Sequence, residues 1–343
     1  MAYFMYVSIQ EEDRIAIFTM TPKTGKLKHQ GDVELIGRPA PMALDPNRDY
    51  LFAGRRKTDE YGLSSFKIDR KGGGLTLIGS IPLNGDPVHI STDKTGKFLL
   101  SAYYYQKTAA VHSIGEDGSL ADPPVVWRET AVGAHYIQTD PANRYAFVPH
   151  IAEGSMTGAN AIFQFRFNAE TGNLTPLSPT RTNPREPDGP RHICFHPNRD
   201  FVYSSNEQGN SVTVYTFDSD KGNLYPIQTV STLPSGYEGK NSCSQIQITP
   251  DGRYLYAPNR GHNSIACFRV NPDNGQLTAI GQVATEAVPR AFSIDPQGSF
   301  LYAAGLETGK LASYRINQDN GELEPMDVYD LGKGPMWVLI TEL

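Results

Sequence analysis

Three features of the sequence predict an all-β fold, a seven-bladed β-propeller with four antiparallel strands per blade. A turn-and-strand module recurs six times, a strand-turn-leucine module recurs seven times, and the two ends of the chain supply complementary parts of one further unit.

The first module reads DPNRDYLFAG from residue 45, DKTGKFLLSA from 93, DPANRYAFVP from 140, HPNRDFVYSS from 196, TPDGRYLYAP from 249 and DPQGSFLYAA from 295. Each copy is a turn of Asp, Pro, Asn or Gly followed by an alternating aromatic-apolar strand. The intervals are 48, 47, 56, 53 and 46 residues. The second module is an apolar strand, a turn ending in Gly, and Leu27, Leu75, Leu120, Leu174, Leu224, Leu277 or Leu323.

The strand before each first-module turn occurs seven times, as APMALD, VHISTD, HYIQTD, RHICFH, SQIQIT, RAFSID and MWVLIT. The last copy has no partner strand after it, and FMYVSIQ near the start fits that place. Ring closure within one shared blade follows, with the whole of residues 1–343 expected as a single propeller domain. No 10–15-residue helical periodicity separates the strands, which argues against an α/β sheet.

Composition narrows the function classes. The formal net charge of −6 argues against a nucleic-acid or anionic-membrane partner. No apolar run nears the ~18 residues that span a bilayer, and the first residues lack a signal-peptide pattern, so a cytoplasmic protein is expected. Cys194, Cys243 and Cys267 are not spaced as metal pairs, and two of them sit in apolar strands as small hydrophobes.

Repeat register then brings distant residues together. Counting from the Asp, His or Thr that opens each first-module turn, position −5 starts the inner strand and position +11 ends the second strand at the same mouth of the channel. The −5 residues are Ala40, Val88, His135, Arg191, Ser244, Arg290 and Met336. The −4 residues include His89, Tyr136, His192 and Trp337, and the +11 residues include Arg56, Tyr104, Glu207 and Arg260. Register therefore predicts that His135, Arg191, Glu207, Arg260, Arg290 and Arg56 meet at one channel mouth. His89 and His192 either join them or face away as structural histidines, and Trp337 and Tyr104 are either a stacking wall or blade packing.

Four arginines around one carboxylate are poor structural design, because like charges repel and desolvation is costly. The cluster suits an anionic small molecule, the alternative being charges that only solvate a polar channel. Three longer connections, 150–160, 181–189 and 231–241, are further candidates for function.

The stretches GPRHICFHPNRDFVYSSNE, ITPDGRYLYAPNRGHNSI, VPRAFSIDPQGSFLYAAG and GPMWVLI resemble the lactonase family of seven-bladed propellers. That resemblance implies hydrolysis of a sugar-acid lactone, most simply 6-phosphogluconolactone; no cofactor is expected, and no metal, because the mouth is rich in cations and poor in the inward Glu, Asp and Asn that a calcium ion needs. A fungal relative of the same fold lactonizes carboxy-muconate, and its proposed site corresponds to His135, Arg191, Glu207 and Arg260. The resemblance implies those four as catalytic residues, and repeat register adds Arg56, His89, Tyr104, His192, Arg290 and Trp337 as candidates for binding substrate. The expected partner is a small anionic lactone, met by a monomer or weak homo-oligomer. The alternatives are a sulfonated or unphosphorylated sugar lactone, a muconate-type substrate, or a non-catalytic scaffold binding protein through its loops.

Overall fold

The computed structural model describes residues 2–153 and 157–343, so part of the 150–160 connection (Gly154 to Met156) lies outside the described residues. Seven four-stranded sheets are arranged as expected. In blade 1 the strands run Pro39–Leu44, Tyr50–Arg55, Gly62–Ile68 and Leu75–Pro82, from the channel outward. Blades 2 to 6 repeat this order, with inner strands Pro87–Thr92, Gln138–Thr139, Pro190–Phe195, Gln247–Ile248 and Pro289–Ile294. Blade 7 is composite: its inner strand, Pro335–Glu342, pairs antiparallel with Tyr3–Ile9, and Tyr3 lies opposite Glu342.

Both modules are explained by how neighbouring blades pack. The glycine of each second module has positive φ and lies against an aromatic ring of the preceding blade. A Cβ on Gly73, at φ 71°, would fall 2.2 Å from Phe4 of blade 7. The same relation joins Gly118 to Tyr50, Gly222 to Tyr145 and Gly25 to Phe300, around the ring. Only glycine combines that backbone conformation with that closeness. Buried tyrosines add a bond across the same joints: the hydroxyls of Tyr6, Tyr256 and Tyr302 donate to the carbonyls of Gly73, Gly321 and Gly25.

The first-module turn is capped from within. Asp295 Oδ1 accepts from the backbone N–H groups of Ser299 and Phe300, at 2.6 Å each, and Oδ2 accepts from Gln297. Asp45 and Asp140 do the same in their blades. His196 stands in for Asp in blade 4, where its Nδ1 accepts from Asn198. These turns ring one end of the channel as self-contained units.

Candidate functional site

At the opposite end the inner strands depart from simple pairing. In blade 4, Pro190 faces Asn206 and His192 faces Ser205, which leaves Arg191 as the extra residue of a β-bulge. Val88 of blade 2, Arg290 of blade 6 and Met336 of blade 7 are extra in the same way. A bulge re-aims side chains at the rim of a sheet. Proline at the preceding position, Pro87, Pro190, Pro289 or Pro335, suits a strand start that has no donor to offer. In blades 3 and 5 the ladder is shorter still, and only an isolated bridge (Ala134 to His150, Cys243 to Asn259) precedes the paired residues.

This irregular rim brings most of the expected residues together. Arg56, His135, Arg191, His192, Arg290, Met336 and Trp337 line one cavity, with Gln245 beside them. Glu207 lies against one of these lining residues, Arg191, and against Arg260: Arg191 Nε lies 2.7 Å and Arg260 Nη2 3.0 Å from the Glu207 Oε2. Both are close ion contacts without hydrogen-bond alignment, while Arg260 Nη2 also donates to the Cys243 carbonyl at 2.7 Å. The Arg191 side chain is only 3% exposed, against 17% for Glu207. Buried polar atoms with no partner among the described residues gather here: Arg191 Nη1, His135 Nδ1, His192 Nε2 and Arg260 Nε. Such atoms are costly in a scaffold, and their concentration makes this rim the candidate site.

The electrostatics follow from burial and charge together. Burial tends to raise the Glu207 carboxyl, but the summed attraction of Arg260, Arg191 and Arg290 prevails and holds it below the usual carboxylate range. His135 and His192 are pushed well below the ordinary histidine value by burial and then by Arg191. His89 falls to about 3 for the same reasons. All three imidazoles are therefore neutral at physiological pH, and Glu207 is ionised.

His89 and His192 join the cluster. They form an aromatic plug across the channel with Tyr136 and Trp337, with ring centroids 3.8 Å apart for His89 and Tyr136 and 5.5 Å for His89 and Trp337. His192 packs 5.4 Å from His89 and 5.6 Å from His135. The bulge accounts for this, because it carries residue −4 into the channel along with −5. Tyr104 takes the second of the two places open to it, blade packing in place of a stacking wall: it packs between blades 2 and 3 with Val88, Ala134 and Ile151. Its apolar neighbours in those two blades draw the ring into the core. Arg56 reaches the cavity already held by Asp86, a residue in the link to blade 2 that repeat register does not single out. Tyr136 and Gln245 were also missed as channel residues, although both occupy the −4 slot.

Among the described residues no group of three or more His, Cys, Asp or Glu is placed to hold a metal ion, and no helix is long and apolar enough to cross a membrane. Burial drives the Cys194, Cys243 and Cys267 thiols upward in pKa, away from reactivity.

The chain matches a family model described as lactonase, 7-bladed β-propeller, over residues 2–340. It is 35% identical over 343 residues to a 6-phosphogluconolactonase of Pectobacterium carotovorum, covering 100% of each chain. A 6-phosphogluconolactonase of Serratia proteamaculans is 34% identical over 340 residues, with 99% of each covered. Among solved structures, one reported as a candidate 6-phosphogluconolactonase from Bacteroides fragilis superposes with a TM-score of 0.89 at 25% identity, over 99% of this chain and 98% of that one. The chain belongs to the lactonase family of seven-bladed β-propellers.

Proposed function

We propose that the protein hydrolyses a sugar-acid lactone carrying an anionic group, with 6-phosphogluconolactone as the simplest candidate. One observation carries the reading: a single ionised carboxylate, Glu207, is shared by Arg191 and Arg260 at the edge of a cavity lined by Arg56, Arg191, Arg290 and a neutral His135. The names of the full-length relatives support the same reaction class.

Hydrolysis needs a proton removed from the attacking water, a counter-charge for the tetrahedral oxyanion, and a proton for the departing ring oxygen. Glu207 takes the first task. Both arginines approach its Oε2, and Oε1 makes no hydrogen bond among the described residues, so it is the oxygen left for water. Arg191, with Nη1 unpartnered, faces the carbonyl oxygen that becomes the oxyanion. As the bond from the acyl carbon to the ring oxygen breaks, the proton held on Glu207 passes to that oxygen, giving the hydroxy acid. Neutral His135 holds the lactone by hydrogen bonding through Nδ1.

Purified protein in EDTA, given phosphorylated, sulfonated and plain sugar δ-lactones, is expected to speed acid release most on the phosphorylated one. No acceleration over spontaneous opening on any of the three would refute the reading.

A further inference from the structure

Four guanidinium groups reach the charged mouth, and they differ in what holds them. Arg191 and Arg260 share Glu207. Arg56 is committed elsewhere: its Nε lies 2.6 Å from Asp86 Oδ1 and its Nη2 lies 2.5 Å from Oδ2. Such a two-point pair fixes the guanidinium plane and offsets its charge. The Arg290 side chain lines the same cavity and makes no ion pair or hydrogen bond among the described residues.

The backbone that carries Arg290 is nonetheless tightly determined. Arg290 is the extra residue of a bulge, Pro289 is paired with Gly305, and Val288 before them is held at φ 55°. A β-branched residue in that left-handed region is strained, and it persists only where its surroundings impose it. Here Asn263 Oδ1 accepts from the Val288 N–H, and the Val288 carbonyl accepts from Leu306. The equivalent positions in blades 3, 4 and 7 are Gly133, Gly189 and Gly334, so blade 6 keeps the conformation without the residue that relieves it. Burial, then Arg260 and Arg56, lowers the Arg290 pKa to about 9, and an anion at the guanidinium would offset that repulsion.

Two acids for four arginines leave these groups with two surplus positive charges. A phosphate monoester brings roughly −1.5 to −2 at neutral pH, whereas a carboxylate or sulfonate brings one.

Building on the lactonase reading, we infer that Arg290 receives the distal phosphate of the substrate, and that Asp86 is a specificity-determining residue because it withdraws Arg56 from that task. The phosphate is met on one side of the cavity, at blade 6, and the lactone carbonyl at blade 4.

The test compares wild type with Arg290→Gln, Arg56→Gln and Asp86→Asn. KM is measured on 6-phosphoglucono-δ-lactone and glucono-δ-lactone, and calorimetry reads binding of 6-phosphogluconate and gluconate. Arg290→Gln is expected to weaken 6-phosphogluconate binding about tenfold or more, and to raise KM for the phosphorylated lactone at least about ten times more than for the plain one. Arg56→Gln is expected to do clearly less. Asp86→Asn, which frees Arg56, is expected to tighten 6-phosphogluconate binding by about threefold. Equal effects of Arg290→Gln on both lactones, or a larger effect of Arg56→Gln, overturn the inference. So does an Asp86→Asn variant that lowers Tm without changing preference, since the pair would then only clasp blades 1 and 2. Wild type that binds 6-phosphogluconate but opens neither lactone would refute the hydrolase reading and leave Arg290 as the phosphate receptor. Wild type that binds gluconate equally well would refute this inference alone.

Discussion

The two ends of the channel are built from the same strands and follow opposite rules. At the turn end, Asp45, Asp140 and Asp295 repeat one residue type, and each satisfies its own turn with backbone N–H groups. At the rim end, the slot 5 residues earlier holds Ala40, Val88, His135, Arg191, Ser244, Arg290 and Met336, and several of their polar atoms are unpartnered. Repetition therefore marks scaffold, and departure from repetition within an equivalent slot marks the candidate site. The rim carries repulsion and desolvation that the turn end avoids, which fits sites that give up stability for binding.

The contrast can be broken most sharply at Glu207. Glu207→Gln is expected to lower kcat on the responsive lactone by about 10²–10³ while leaving the fold in place, read by steady-state kinetics beside circular dichroism. A variant with full activity would make the Arg191–Glu207 contact a structural ion pair and erase the difference between the two ends.

Acid should also act through the rim. His89, His135 and His192 have folded values below their unfolded value near 6.5. Between those values the unfolded chain binds protons that the folded chain refuses, so stability falls as pH drops below about 6.5. Each such histidine contributes up to about 1.4 kcal/mol per pH unit. Urea unfolding at pH 7.5 and 5.0 should show a marked loss, smaller in His192→Gln. A flat profile would mean that these rings accept protons in the folded protein.

The smallest effect belongs to the turn end. Asp295→Ala removes three backbone acceptor contacts and is expected to cost about 1–3 kcal/mol. Lactonase kinetics at 25 °C should stay within about twofold, since Asp295 touches nothing at the rim. A large loss of kcat would show that the ends are coupled.

The seven blades, their closure and the convergence of His135, Arg191, Glu207, Arg260, Arg290 and Arg56 were legible because each is a statement about register, which the repeats declare seven times over. The bulge was not legible, since no residue type announces it beyond the proline before it. Missing it left the facing of His89 and His192 open. Asp86 was not legible either: it lies in a link, outside the slots that repeat arithmetic compares. Tyr104 occupied the right slot but met apolar neighbours, Val88 and Ala134, so hydrophobic packing decided its place.

The composite seventh blade has a consequence for how the ring opens. Neighbouring blades meet through side-chain packing and scattered hydrogen bonds such as Tyr6 to Gly73 and Arg56 to Asp86, whereas the first and last strands are stitched within one blade by a ladder of paired residues from Tyr3–Glu342 to Ile9–Pro335. The seam that yields first under heat or force is then a joint between two intact blades, not the place where the chain ends meet. Met336 and Trp337 ride on the stitched strand and also line the cavity. That stretch of the cavity wall thus sits on the blade held by the ladder, and the indole of Trp337 is a built-in gauge of whether the circle is whole.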